Sequence, residues 1–265
     1  MEFRPTGPSD FGMVEERIDV WLRPLLSGGY DGLAPGLLHP EEIARCARMG
    51  SEMQRDKFVT GRALARTILS HALAQPPEAL VFLRIGNGKL VIEGRPEVSF
   101  NLSFANGFAA LALTRGARLG IDIEAEEQAF GLDTVARRFF SSEELARICG
   151  TPRAHQCRRF LEIWTLKEAF IKATGEGFFT DLENIQFAVG MSGCIAFTMP
   201  GPAAHTWSFA QFDVLPGMIA AVCVERPSLA YSRIRTRLLS ESGGITTLSP
   251  ERRCRSQAVQ RLDTL

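Results

Sequence analysis

The sequence Gly-Ile-Asp-Ile-Glu at residues 120–124 alternates apolar and acidic residues, which is the pattern of a β-strand. Such a strand directs Ile121 and Ile123 to one face of a sheet and Asp122 and Glu124 to the other. Taken alone, the alternation is typical of a half-buried strand with one solvated face. Two carboxylates on one face are also a candidate site for a hard cation such as Mg²⁺.

A second motif follows at residues 164–172, which read Trp-Thr-Leu-Lys-Glu-Ala-Phe-Ile-Lys. This segment predicts a helix on which Glu168 and Lys172 lie one turn apart. A Glu–Lys pair at this spacing is most often a surface ion pair, so it too is weak evidence by itself. Together, the two motifs offer three carboxylates and one ammonium that a fold can gather around a divalent cation and a phosphate.

The composition sets limits on the class of protein. The chain has 265 residues and a formal net charge of zero, which implies no general attraction to nucleic acid or to a membrane. No apolar run approaches the roughly 20 residues needed to span a bilayer, and residues 1–7 lack the apolar region of a secretion signal. The six cysteines are scattered without C-x-x-C spacing, which indicates reduced thiols. We therefore expect a cytoplasmic protein.

Hydrophobic periodicity predicts an α+β chain. Helices are expected at 54–74, 132–139, 142–149 and 155–173, and a further helix opens at Pro40. Strands are expected at 18–22, 80–85, 89–93, 98–102, 108–114, 118–124, 184–188, 194–198, 206–213 and 218–224.

An internal similarity suggests a duplicated architecture, because residues 103–113 resemble residues 208–224 and each segment is predicted to close on a buried strand. Chance similarity between runs rich in Ala and Val remains an alternative. We expect an N-terminal α+β half at 12–115 and a C-terminal α+β half at 116–230, with a metal site at their interface. The hydrophobic rhythm fades in residues 231–265, which predicts a disordered tail.

The two motifs, at their observed separation, resemble the pattern of the surfactin-synthetase type of 4'-phosphopantetheinyl transferase. That pattern reads V/I-G-I/V-D and then W/F-S/T-x-K-E-A/S-x-x-K, and the similarity extends from about Pro40 to about Glu225. The resemblance implies two similar α+β halves in a pseudo-twofold arrangement, with the active site between them, in a monomer.

The resemblance also implies an enzymatic activity, that of a holo-[acyl-carrier-protein] synthase or 4'-phosphopantetheinyl transferase. Such an enzyme is Mg²⁺-dependent and transfers the 4'-phosphopantetheine group of coenzyme A, its co-substrate, to a serine of an apo acyl or peptidyl carrier protein. Adenosine 3',5'-bisphosphate is released. The expected partners are therefore coenzyme A and a carrier protein, with no nucleic acid and no membrane.

The reaction implied in this way gives each acidic residue of the two motifs a role. Asp122, Glu124 and Glu168 are expected to bind Mg²⁺, and Lys172 is expected to contact a phosphate of coenzyme A. The predicted catalytic residues are Asp122, Glu168 and Lys172, with Glu168 a candidate general base. Glu144 matches a further acidic position of the family, but we favour helix capping after Ser141 or Ser142 as its role.

The resemblance also assigns residues to coenzyme A. Arg45 falls where the family carries a basic residue that binds phosphate, and Arg84 and Lys89 match its R-x-x-x-G-K-P stretch. Ser103 matches the serine of its F-N-x-S-H pattern. For any single arginine, a solvated surface position is an equal alternative. Weaker candidates for the same role are Arg55, Arg62 and Arg66.

The chain departs from the family pattern on this coenzyme A side. Phe104 stands in the place of a histidine that contacts a phosphate, and a phenyl ring neither donates a hydrogen bond nor carries charge. Leu90 replaces the proline of R-x-x-x-G-K-P. An alternative hypothesis is therefore a catalytically weak or inactive homologue that binds coenzyme A or a carrier protein. A different metal-dependent hydrolase or nucleotidyl transferase is disfavoured, because the phosphate-loop, H-E-x-x-H and G-x-S-x-G motifs are all missing.

We expect the carrier protein to dock beside the cleft, against residues 130–160. In this region basic and apolar residues are expected to be exposed together, namely Arg137, Arg138, Phe139 and Phe140.

Overall fold

A computed structural model describes residues 16–27, 33, 36–128, 132–177, 182–190, 193–201, 204 and 206–256. The ends of the predicted domains, residues 12–15 and 257–265, lie outside these ranges. Within them the helices are α1 (Pro40–Ala47), α2 (Glu52–Leu73), α3 (Leu132–Phe139), α4 (Ser142–Cys149) and α5 (Arg153–Thr174). The strands up to the middle of the chain are β1 (Ile18–Pro24), β2 (Phe82–Ile85), β3 (Lys89–Ile92), β4 (Val98–Ala105), β5 (Phe108–Arg115) and β6 (Leu119–Ala125). The later strands are β7 (Gln186–Val189), β8 (Cys194–Thr198), β9 (Ser208–Leu215), β10 (Met218–Val224), β11 (Ile234–Leu239), β12 (Ile245–Leu248) and β13 (Glu251–Ser256).

The strands form two large sheets and one small one. The first sheet has the order β12-β11-β1-β5-β4, and the second has the order β6-β10-β9-β13-β8-β7. Strands β2 and β3 pair only with each other. Helix α2 packs Leu64 and Ile68 against Trp21 and Phe100 of the first sheet, because its apolar residues recur at helical spacing. Helix α5 packs Phe170 against Phe209 of the second sheet.

Each large sheet repeats one helix-and-hairpin arrangement. Helices α2 and α5 both have 22 residues, and each packs on an antiparallel hairpin, β4–β5 or β9–β10. The hairpins turn at Gly107 and Gly217, whose positive φ angles of 74° and 69° are readily adopted by glycine. The predicted α+β fold built from two similar halves is therefore confirmed, and the segments that resemble each other in sequence are these two hairpins.

The prediction of a disordered tail is wrong for residues 231–256. Strand β11 pairs in parallel with β1 and antiparallel with β12, so the chain returns to the first sheet. Strand β13 then pairs with β9 and β8 of the second sheet. The tail therefore adds strands to both halves.

Residues 234–239 form a strand in spite of their arginines because an ion pair network joins them to β1. Asp19 of β1 is buried and accepts hydrogen bonds from Arg235 at 2.7 Å and from Arg237 at 3.0 Å. The Arg237 guanidinium also lies 4.6 Å from the centre of the Trp21 ring. These arginines suggested a solvated tail, but their charges are matched across the sheet by a residue more than two hundred positions earlier.

The two halves meet along β4 and β6. Asn101 of β4 accepts a hydrogen bond from the backbone N–H of Ile121 at 3.0 Å, and the Ser103 hydroxyl accepts one from Ile123 at 3.3 Å. Side chains of one half thus bind the backbone of the other half at the strand that carries the acidic motif. All six cysteines are free thiols.

Candidate active site at the junction of β4, β6 and α5

Gly120 sets the distance between strand β6 and helix α5. A Cβ atom added at Gly120 would lie 2.0 Å from the carbonyl oxygen of Ala169 and 2.5 Å from the backbone nitrogen of Ala173. No side chain fits into that space. Because glycine has none, the helix backbone packs directly on the strand. Asp122 and Glu124 share the strand face of Gly120 and are therefore brought towards Glu168 and Lys172 of the helix.

Asp122 and Lys172 form a hydrogen-bonded ion pair with Ser103. The Lys172 ammonium donates to Asp122 Oδ1 at 2.6 Å and to the Ser103 hydroxyl at 3.0 Å. The Ser103 hydroxyl in turn donates to Asp122 Oδ1 at 2.8 Å. Asp122 and Ser103 are buried, which strengthens these interactions relative to a surface ion pair. The cluster therefore draws one residue from each of β4, β6 and α5.

Two further carboxyl groups lie close to this ion pair. Burial, together with the neighbouring carboxylates of Asp122 and Glu168, raises the pKa of Glu124 from 4.5 to about 7, against an opposing effect of Lys172. Burial and the charge of Asp122 likewise raise the pKa of Glu168 to about 7, against an opposing effect of Lys172. These shifts show that the three carboxyl groups interact electrostatically in a partly desolvated space.

Two oxygen atoms of this group are buried without a hydrogen-bond partner among the described residues. They are Asp122 Oδ2 and Glu168 Oε1. Unpaired buried carboxylate oxygens are costly unless they meet a cation or a donor, so their chemistry fits a divalent metal ion. In the part of the chain that the structure describes, no three acidic, cysteine or histidine side chains are already grouped as a metal site. Asp122 Oδ1 is instead held by Lys172 and Ser103.

Trp164 positions the carboxyl group of Glu124, a role that the sequence did not indicate. Its side chain is hydrogen-bonded to Glu124, which opposes the upward shift of that pKa. The indole ring stacks near Phe140 and Phe160, with centroid distances of 6.2 Å to each. The aromatic packing therefore fixes the donor that orients Glu124.

A separate basic pocket of about 450 Å³ lies between α1, α2 and β2. Arg45 and Arg84, both assigned to coenzyme A from the sequence, line it together although they are distant in the chain. The pocket also has two acidic residues on its wall, Glu41 and Glu42. Its basic lining residues are His39, Arg45, Arg48, Arg62, Arg66 and Arg84. The excess of cations fits a polyanionic ligand.

Arg62 is a buried arginine of this pocket with one unpaired N–H donor among the described residues. Its guanidinium lies between the rings of Phe58 and Phe82, at 5.4 Å and 5.2 Å from their centres. Its Nε lies 3.3 Å from Glu42, while Nη1 is buried and has no hydrogen-bond partner among the described residues. Burial lowers the pKa of Arg62 to about 10, which leaves it cationic at neutral pH. A buried and unpaired N–H of this kind is suited to an anionic ligand.

The family model of the 4'-phosphopantetheinyl transferase superfamily matches residues 118–223, which contain β6 and α5. The 4'-phosphopantetheinyl transferase HetI of Nostoc sp. is 30% identical over 226 residues, or 82% of this chain and 91% of that relative. The chain belongs to the 4'-phosphopantetheinyl transferase family. It is thereby placed in an enzyme family, and the resemblance drawn from the two motifs is confirmed.

Two other 4'-phosphopantetheinyl transferases, psf-1 and Sfp, agree with this assignment. The transferase psf-1 of Bacillus pumilus is 31% identical over 72% of this chain and 80% of that protein. The transferase Sfp of Bacillus subtilis is 26% identical over 72% of this chain and 83% of that protein. A holo-(acyl-carrier-protein) synthase from Bacillus anthracis, solved in complex with CoA (3',5'-ADP), covers 42% of this chain and 98% of its own, at 18% identity and a TM-score of 0.36.

In this family member, Phe104 takes a structural position. Its ring packs against α2, where a Cβ on Gly61 would lie 2.7 Å from the Phe104 ring. Gly61 thus provides the room that the phenyl ring occupies. Gly61 directly precedes the buried Arg62 in α2.

Lys89 does not line the basic pocket with Arg45 and Arg84. Its ammonium donates to the carbonyl oxygens of Ala173 at 2.6 Å and Leu119 at 3.2 Å. Ser103 likewise contacts Asp122 and Lys172 instead of that pocket. The five residues assigned to coenzyme A therefore fall into two separate groups, and their binding of coenzyme A stays a prediction.

The capping role favoured for Glu144 is confirmed. Ser141 and Glu144 form a reciprocal capping box at the start of α4, and Glu144 also pairs with the buried Lys167 at 2.8 Å. Burial raises the pKa of Glu144 against the influence of Lys167. The conspicuous Lys167 of the second motif is therefore structural, since its ammonium also donates to the carbonyl oxygen of Leu182 at 2.7 Å.

The expectation of exposed aromatic residues near α3 is wrong for Phe140. Arg137 and Arg138 are exposed, whereas Phe140 is buried and stacks on Phe160 at 4.9 Å. Phe139 is partly buried and lies 5.8 Å from Trp164. No helix in the described ranges is both long enough and apolar enough to cross a membrane.

Proposed function

We propose that this protein transfers the 4'-phosphopantetheine group of coenzyme A to a serine of an apo acyl or peptidyl carrier protein. The observation that carries the proposal is the cluster of Ser103, Asp122 and Lys172 beside Glu124 and Glu168. It places a cation and three interacting carboxyl groups where the two halves meet. Since one chain supplies all of these side chains, we also propose that the active protein is a monomer. The free thiols support a cytoplasmic location.

The reaction is a phosphoryl transfer within the pyrophosphate of coenzyme A. The serine oxygen forms a bond to the phosphorus that carries the pantetheine arm. The bond from this phosphorus to the bridging oxygen breaks, and adenosine 3',5'-bisphosphate leaves with the electron pair. Glu168 receives the serine proton as a general base, through the carboxylate oxygen that is not assigned to the metal ion.

Lys172 supplies positive charge to the reacting phosphates. Asp122 and Ser103 hold its ammonium in place, so the group is already positioned before the substrate binds. Negative charge develops on the bridging oxygen as it leaves, and a nearby cation stabilises that charge more strongly in the transition state than in the substrate. Asp122 thus orients the ammonium as well as contributing charge of its own.

Asp122, Glu124 and Glu168 would hold Mg²⁺, whose charge would offset that of the pyrophosphate. The unpaired Asp122 Oδ2 and Glu168 Oε1 are the atoms that fit this role. Glu124 and Glu168 must lose their protons to act as ligands, and pKa values near 7 allow this at neutral and higher pH.

The basic pocket would receive the nucleotide end of coenzyme A. Arg45 and Arg84 are exposed at its wall, and Arg62 presents the buried Nη1 donor. A phosphate oxygen would satisfy that donor with a charge-assisted hydrogen bond. We therefore propose that Arg62 replaces the phosphate contact of the histidine whose place Phe104 occupies.

The proposal is tested by mixing the protein with coenzyme A, Mg²⁺ and a panel of apo carrier proteins, followed by intact-mass measurement of each carrier. The expected result is a gain of one phosphopantetheine on at least one carrier. Carriers with the acceptor serine replaced by alanine are the matched controls and should gain nothing. If no carrier gains mass although coenzyme A binds, the protein is a binding module and the transferase proposal is wrong.

A further inference from the structure

The turn between β2 and β3 is hydrogen-bonded to the C-terminal end of α5. This turn comprises residues 86–88, and we call its contact, together with that of Lys89 at the start of β3, with residues 173–177 the hairpin clasp. Lys89 donates to the carbonyl oxygen of Ala173, the residue directly after Lys172. It also donates to the carbonyl oxygen of Leu119, the residue directly before Gly120. One ammonium therefore joins the helix and the strand that together form the active site.

The rest of the clasp is closely fitted. The side-chain amide of Asn87 donates to the carbonyl oxygen of Glu176. A Cβ on Gly177, which has a φ of +67°, would lie 2.7 Å from that amide nitrogen. A Cβ on Gly86 would lie 3.2 Å from the carbonyl oxygen of Gly175. Both glycines have positive φ angles, 49° at Gly86 and 67° at Gly177, which side chains rarely allow, so the backbone of the clasp favours glycine at these two positions.

The chemistry of Lys89 suits the end of a helix. The last carbonyl groups of α5 lack partners within the helix and carry partial negative charge. The Lys89 ammonium binds one of them in a half-buried position, where loss of hydration lowers its pKa to about 8. Strands β2 and β3 pair with neither large sheet, so these bonds join their hairpin directly to both α5 and β6.

We propose that Lys89 is a positioning residue for Lys172 and Asp122, and that it does not bind the nucleotide. By holding Ala173 and Leu119 it fixes the spacing of α5 and β6 next to the two residues of the ion pair. This inference rests on the proposed transferase function for its kinetic consequence. Its structural part, the fixing of the last turn of α5, can be tested without any transfer reaction.

The kinetic test compares Lys89→Met with Arg45→Met, a substitution at a residue of the nucleotide pocket. Lys89→Met should lower kcat about 10- to 100-fold, as expected for a displaced catalytic group, and leave the KM for coenzyme A unchanged. Arg45→Met should show the opposite split, with a raised KM. A raised KM and an unchanged kcat for Lys89→Met would overturn the proposal and assign Lys89 to the nucleotide.

Hydrogen exchange tests the clasp independently of activity. The amides of the last turn of α5 should exchange faster in Lys89→Met and in Asn87→Ala, while those of α2 should keep the wild-type rate. Asn87→Ala leaves every charge in place and serves as the second variant if Lys89→Met fails to fold. Wild-type exchange at the end of α5 in a folded variant would contradict the clasp, whether or not the protein transfers phosphopantetheine.

Discussion

The β6–α5 side of the molecule and the side with the arginine pocket hold charge in different ways. On the β6–α5 side, Asp122, Lys172 and Ser103 are bonded to one another within 3.0 Å, and the helix rests on Gly120 without an intervening side chain. On the pocket side, arginines from α1, α2 and β2 surround an open volume of about 450 Å³. The first arrangement depends on geometry and tolerates little change. The second depends on the sum of its charges, so one contact can be replaced by another.

The chain keeps the family pattern more closely on the first side than on the second. The polar motif residues on the β6–α5 side are all present, and Leu119 stands where the pattern has Val or Ile. Phe104 and Leu90 depart from the coenzyme A motifs of the family, and neither of them lines the arginine pocket. Substitutions on the two sides should therefore differ in their effects.

The largest effect is expected from Lys172→Met. Removing a positioned cation from a phosphoryl transfer should lower kcat by about 100- to 1,000-fold, as does the loss of one preorganised donor elsewhere. Steady-state transfer kinetics measure the change. Lys57→Met, at a helix position outside both sites, is the control, and a Lys172→Met variant that retains wild-type kcat would remove the lysine from the mechanism.

Gly120→Ala should lower the free energy of unfolding by about 3 kcal/mol or more, because a methyl group cannot fit between β6 and the backbone of α5. Urea unfolding measures the loss. Gly50→Ala is the matched control, since a Cβ there meets no atom within 4 Å. Equal stability of the two variants would show that the close approach is not needed.

Magnesium binding should strengthen with pH. Glu124 and Glu168 have pKa values of about 7 and bind Mg²⁺ only when ionised, so the affinity should rise about 10- to 100-fold between pH 6 and pH 8. Titration calorimetry without substrate measures it. Glu168→Gln should flatten the dependence, and a pH-independent affinity in the wild type would exclude these carboxylates as ligands.

The same raised pKa values predict a trend in stability without metal. The folded protein retains protons that the unfolded chain, with carboxyl pKa values near 4.5, has already released. The contribution of these two groups to stability therefore falls as the pH rises from about 4.5 to about 7. Added Mg²⁺ should raise the Tm more at pH 8 than at pH 6, and the reverse order would contradict the assignment.

A smaller effect is expected in the nucleotide pocket. Arg62→Met should raise the KM for coenzyme A about tenfold, the value of one charge-assisted hydrogen bond, with little change in kcat. Its KM for 3'-dephospho-coenzyme A should match that of the wild type if Arg62 contacts the 3'-phosphate. Lys57→Met, outside both sites, is the control, and an equal loss with both substrates would move Arg62 away from that phosphate.

The sequence predicted the local elements and the acidic motifs because their patterns are local. Strand β6 and helix α5 lie where the periodicity predicted them. Gly120 allows the close packing of the two elements, and Asp122 forms the ion pair with Lys172. Strand β11 was missed because its arginines are neutralised by Asp19, a partner that no local pattern reveals. The separate place of Lys89 was missed for the same reason, since its acceptors are backbone carbonyl groups of distant segments.

The central claim is that the β6–α5 carboxylates bind the metal ion while the arginine pocket binds the nucleotide. A crystal structure with coenzyme A and Mn²⁺ tests it most directly. The account predicts an anomalous peak about 2.1 Å from Asp122 Oδ2 and Glu168 Oε1, with a phosphate of the nucleotide bonded to Arg62 Nη1. A metal ion bound away from Asp122, or a nucleotide bound outside the arginine pocket, would contradict it.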